Sequence, residues 1–83
     1  MDPRDEPIAA AFAAMLKKLR TAAGLTMAEL GERVSPSMLA QAIARYESGK
    51  RLPSWGAVVR LARALGVTPD AFLPGNAKRS SGA

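Results

Sequence analysis

Gln41 and Arg45 stand four residues apart in the stretch SMLAQAIARYESGKRLP, and Lys50 and Arg51 follow within six residues. Spacing of four puts an amide and a guanidinium on one face of a helix. Both groups make bidentate hydrogen bonds: Gln matches the edge of adenine, and Arg matches guanine or a phosphate. Ser37 and Met38 precede them and Ala44 lies between them, so the face is small and holds no acid. Met can press on a thymine methyl. Lys50 and Arg51 suit the backbone of the same duplex. The chemistry on offer is therefore recognition of double-stranded DNA.

Catalysis finds no support. The chain has no His and no Cys, so thiolate or imidazole nucleophiles, metal sites built on them and disulfides are excluded. No Ser lies in a nucleophile motif, no carboxylate pair or metal cluster is apparent, and there is no glycine loop for phosphate. No enzyme activity, cofactor or metal is expected. The charge is uneven. Residues 17–63 hold nine bases and three acids, a net +6, whereas the first sixteen residues carry −2. Basic excess on the folded part attracts phosphates. The apolar run Ile8–Leu16 has acids before it and bases after it, the reverse of a secretory signal, and is far too short to span a bilayer. We expect a soluble cytoplasmic chain with no membrane partner.

Eighty-three residues make one small domain, whose core supplies only about 3–5 kcal/mol. Residues 1–7 and 74–83 read as disordered tails, the second one basic, with the domain at 8–73. Helix 1 opens near Pro7 and runs to about Ala23, with Ile8, Phe12, Leu16, Leu19 and Ala23 on its apolar face. Gly24 stops it. Thr26 and Glu29 form a capping box at the start of helix 2, which turns Leu30 and Val34 inward. Ser35-Pro36 ends helix 2 and opens helix 3, expected at about 36–48 with Gly49 as its stop. Ser54 caps helix 4, with Trp55, Val58, Ala62 and Leu65 facing the core and Arg60 and Arg63 in solvent. Thr68-Pro69 repeats the cap-plus-proline start for a short helix 5. Five short helices and no alternating strand pattern predict a compact all-α fold.

With Ile43 pointing inward on helix 3, Leu39, Tyr46 and Glu47 fall within about 60° of it. Ser37, Met38, Gln41, Ala44 and Arg45 lie opposite. The start of helix 2, at Thr26 and Met27, offers free N–H groups to a phosphate.

Three segments together carry a family resemblance: LKKLRTAAGLTMAEL, IARYESGKRLP and SWGAVVRLARALGVTPDAFL. From Leu16 to Leu73, the chain resembles the lambda-repressor-like (XRE or Cro-type) helix-turn-helix domain. The combination of R-x-x-x-G-L-T, Y-E-x-G-x-x-x-P and L-A-x-A-L-G-V is far more specific than any one fragment. The resemblance implies helix 3 as the recognition helix, an origin in bacteria, archaea or phage, and a place at the nucleoid. It also implies that Arg20 pairs with Glu47 and ties helix 1 to the end of helix 3. Three departures stand out. Ser35-Pro36-Ser37 replaces the usual Gly turn, and nine positions separate Val34 from Ile43, more than is usual; either helix 3 is extended or the turn is longer. Met27 stands where a phosphate-binding Gln is common, and its thioether cannot donate that bond. Gly31 stands where Ala is usual, which should loosen helix 2 by roughly 1 kcal/mol.

The expected function is sequence-specific DNA binding by a transcriptional regulator. Gln41, Arg45, Ser37, Met38 and Ala44 would contact bases; Thr26, Met27, Lys50 and Arg51 would contact phosphates. Such domains commonly act as homodimers on two half-sites, and helix 5 with the tail is the expected self-contact. The alternative is a protein-interaction module on the same fold, antitoxin-like or polymerase-associated, with only non-specific DNA affinity.

Overall fold

The first helix starts where proline is best tolerated. In the computed structural model, which describes residues 2–73, α1 spans Glu6–Ala22. Pro7 lies in its first turn, where a missing N–H leaves no bond unmade. Asp5 holds the N-cap position without a side-chain cap bond. The helix thus opens at the expected Pro7, with Glu6, from the segment read as tail, as its first residue. The expected basic tail, 74–83, lies outside the described residues.

α2 spans Met27–Arg33 and begins with the expected capping box. The Thr26 hydroxyl accepts from the Glu29 N–H at 3.1 Å, and the Glu29 carboxylate accepts from the Thr26 N–H at 2.8 Å. The bond from the Thr26 N–H is the main reason the Glu29 carboxyl sits below its ordinary range. Its contribution to stability is therefore complete at neutral pH and is lost as pH falls through that lowered value.

α3 spans Ala40–Glu47 and α4 spans Trp55–Leu65. Ser54 caps α4 by accepting the Ala57 N–H at 3.1 Å. The expected fifth helix is a single 3-10 turn, Pro69–Phe72. The Thr68 hydroxyl donates to the Asp70 carboxylate instead of capping a backbone N–H, and Leu73 already has an extended backbone. The fold is all-α, with four α-helices and no strand among the described residues.

The core collects side chains from every element. Phe12, Leu16, Leu30, Ile43 and Leu61 are fully buried, joined by Leu25, Val34, Ala62 and Phe72. Phe12 is its hub. The ring meets Tyr46 edge-on at 5.8 Å and leans on Phe72 at 4.8 Å, both favourable aromatic geometries. This places α1, α3 and the terminal turn around one ring.

Two expectations about burial are corrected. Trp55 is 71% exposed, not core. Ala57, Leu61 and Ala62 are the buried residues of α4, so Trp55 lies roughly a quarter turn from the middle of the buried arc and overhangs its end. Ile8, at 41% exposure, is likewise only half covered. Together with Leu52 and Leu73 these residues line an apolar groove of about 380 Å³, floored by Phe12, Val58 and Phe72.

The third correction concerns helix 3. Residues 34–39 do not form its first turns. The longer turn is the alternative the chain adopts, with a cis Ser35–Pro36 bond and helix starting only at Ala40. Tertiary contacts hold it. The Met38 N–H donates to the Gly31 carbonyl at 3.0 Å, the Met38 side chain packs on the core, and the Arg60 guanidinium donates to the Pro36 carbonyl. Met38 therefore turns inward and Leu39 outward, the reverse of the expected register.

Candidate nucleic-acid interface

α3 is anchored from within. Ile43 is fully buried, Tyr46 is half-buried against Phe12, and Ala40 and Ala42 flank the seam half-covered. Glu47 follows them inward, leaving its side chain 5% exposed and that of Arg20 11% exposed. Two bonds join them, Arg20 Nε to Glu47 Oε2 at 2.6 Å and Nη2 to Oε1 at 3.1 Å. A third guanidinium bond reaches the Leu25 carbonyl at 2.8 Å. Glu47 holds the Arg20 guanidinium even further above neutrality than usual. This bidentate pair is the one implied by the resemblance, and it fixes α3 to α1 and to the α1–α2 turn at once.

The outward face is what remains. Gln41, Ala44, Arg45 and Ser48 are exposed, at positions that share one side of a helix. The only carboxylate of α3 is the one turned inward to Arg20, so the exposed face has hydrogen-bonding groups and a positive charge with no acid among them. Ala44 keeps it low between Gln41 and Arg45.

The loop after α3 is tied to the helix end. The Ser48 hydroxyl donates to the Arg45 carbonyl at 2.6 Å and accepts the Lys50 N–H at 3.3 Å. Gly49, at φ +74°, turns the chain between them, in the left-handed region that glycine enters without a Cβ penalty. Lys50 and Arg51 are both exposed there.

The structure brings the other expected contact residues together only in part. Ser37 is exposed on the loop that leads into α3. Met38 is packed on the core and is unavailable to a base. At the start of α2, the Thr26 N–H and hydroxyl are both engaged with Glu29, and the Met27 side chain lies on the core. This helix end can offer a phosphate the Met27 and Ala28 N–H groups, which have no partner four residues back, and the Thr26 O–H, whose oxygen accepts from the Glu29 N–H while its proton can still be donated.

Two residues with a part in the site escape a reading by spacing. Arg60, expected in solvent, holds the turn before α3 through the Pro36 carbonyl, and its Nε is buried without a partner. Leu39, expected in the core, is 74% exposed. Nothing local marks the first, because its partner is a backbone atom 24 residues away. The second follows only once Met38 is known to face inward.

A short α2, a connection of residues 34–39 and an α3 packed against α2 with one face free define the helix-turn-helix class. The family model for the helix-turn-helix domain matches residues 11–73, most of the chain, and the chain belongs to this family. The match is in keeping with the lambda-repressor-like resemblance. No curated protein and no solved structure matches the chain significantly. Helix-turn-helix domains of the DNA-binding kind place their second helix in the major groove. No helix among the described residues is long and apolar enough to cross a membrane.

Proposed function

We propose that this chain is a sequence-specific double-stranded DNA-binding regulator of transcription that acts as a homodimer in the cytoplasm, at the nucleoid. The observation that carries the reading is the acid-free outward face of α3, with Gln41, Ala44 and Arg45 exposed and Glu47 withdrawn. A helix with its side chains is about 10–12 Å across, which fits a major groove about 12 Å wide, and the eight residues of α3 extend about 12 Å along its axis. Gln41 and Arg45 read base edges, Ser37 meets the flank, and Lys50 and Arg51 hold phosphates. The role is binding, not catalysis.

Gln41→Ala and Arg51→Ala test the division of labour. Gln41→Ala should relax preference at one base pair by about 1–3 kcal/mol and spare non-specific binding. Arg51→Ala should weaken binding to every sequence and reduce the slope of log affinity against log salt by about one. Titrations of both variants against specific and random duplexes, at several salt concentrations, measure this. An unchanged preference after Gln41→Ala would remove it as a reader.

One observation favours a second reading, a protein-interaction module on the same fold. Among the described residues, four of the five exposed large hydrophobics, Ile8, Leu52, Trp55 and Leu73, gather on one groove, and such gathering marks interaction surfaces. The groove serves the first reading equally as the contact between two copies. Salt separates the two readings: binding through phosphates weakens with a log–log slope of about −0.9 per contact, whereas an apolar protein contact does not.

A further inference from the structure

Leu39 is the fifth exposed large hydrophobic among the described residues and stands apart from the other four. It caps the N-terminus of α3 and is 74% exposed. Its side chain serves neither the core nor the helix. The N-cap position favours Ser, Thr, Asp or Asn, whose oxygens take up a free N–H; Leu has none, and no side-chain cap bond is made. The residue is nevertheless held firmly. Its carbonyl accepts from the Ala42 and Ile43 N–H groups at 3.0 and 3.3 Å, and its neighbour Met38 is bonded to Gly31 at 3.0 Å. The Leu39 backbone is extended, at φ −76° and ψ 154°. Successive side chains point to opposite sides of extended backbone, so seating Met38 on the core turns Leu39 away from it. A little further back, Arg60 grips the Pro36 carbonyl.

Scattered exposed Leu residues are ordinary and need no explanation. This one sits on a fixed support, two residues before Gln41, at the end of α3 whose residues contact base edges in helix-turn-helix complexes. The apolar feature of the major groove is the C5 methyl group of thymine. We infer that Leu39 is a specificity-determining residue that packs on a thymine methyl in each half-site. The inference rests on the proposed placement of α3 in the major groove and adds a reader that makes no hydrogen bond. It divides the reading of bases by chemistry: Leu39 selects for a methyl, and Gln41 and Arg45 select by donors and acceptors.

The test uses the full chain and the DNA motif it selects. Each thymine of a half-site is replaced in turn by deoxyuridine, which removes the methyl and keeps the base pair. One position per half-site should weaken binding about fourfold, the worth of one buried methyl-sized group. Leu39→Ala should bind the thymine duplex more weakly by a similar factor and be indifferent to deoxyuridine at that position. Leu39→Asn, which supplies a cap, should show the same indifference with the fold secured. A half-site without thymine, or deoxyuridine duplexes that bind as well as their parent, would overturn the inference and leave the regulator reading intact. So would a deoxyuridine penalty that persists in both Leu39 variants. Failure to select any motif would overturn both.

Discussion

Glu47→Ala should cost the domain roughly 3–5 kcal/mol, the usual penalty for breaking a buried ion pair by removing one partner. The loss arises because Arg20 stays where it is. Its side chain is 11% exposed and bonded to the Leu25 carbonyl, and it cannot reach bulk water without leaving that bond. Alanine would leave a guanidinium nearly buried without its counter-ion. In a domain this small a change of 1 kcal/mol moves the melting temperature by about 4–8 °C, so the variant should melt at least 12 °C below the parent or be unfolded at room temperature. Circular dichroism during heating measures it. Glu47→Gln, which keeps the shape and one acceptor, should fall between the two. An unchanged melting temperature for Glu47→Ala would show that the pair holds nothing together.

Gly31→Ala pits two effects against each other. Alanine is the better helix former by about 1 kcal/mol, and the family resemblance, in which Ala is usual here, presents Gly31 as a weak point in α2. The structure reverses the sign. A Cβ at position 31 would lie 2.1 Å from the Met38 carbonyl oxygen and 3.1 Å from its carbon, and the obstacle is backbone, which cannot swing aside as a side chain can. The loop before α3 must move away, stretching the bond from the Met38 N–H to the Gly31 carbonyl. Overpacking of this kind costs about 1–3 kcal/mol, more than the helix gains. The displaced loop also carries Leu39 and the first turn of α3, so DNA affinity should fall more than stability alone explains. Melting curves and binding titrations of the variant decide it; a more stable protein with parental affinity would mean the loop yields freely.

These two positions mark what can be read from residues in order and what cannot. Local chemistry was legible. Thr26 with Glu29, and Ser54, announce helix starts because capping needs only neighbours in sequence. The face shared by Gln41, Ala44 and Arg45 follows from helical spacing once Ile43 is set inward. Arg20 and Glu47 became a pair through a family resemblance, and the geometry bears it out. The loop 34–39 was not legible, because its path is decided by contacts distant in sequence. Met38 finds the core, Gly31 makes room for its carbonyl, and Arg60 reaches back from α4 to Pro36. Helix propensity after a Ser-Pro pair points the other way and is overridden. Trp55 fails for a different reason: α4 has Ala, Val or Leu at most positions of a broad arc, so the centre of its buried side is set by packing partners and not by pattern.

Selection of bound fragments from random double-stranded DNA at near-physiological salt decides whether α3 reads a DNA sequence. A homodimer that reads bases through α3 should enrich a motif with two-fold symmetry, its half-sites about one helical turn apart. Binding that disappears as salt rises and enriches no motif would contradict that reading.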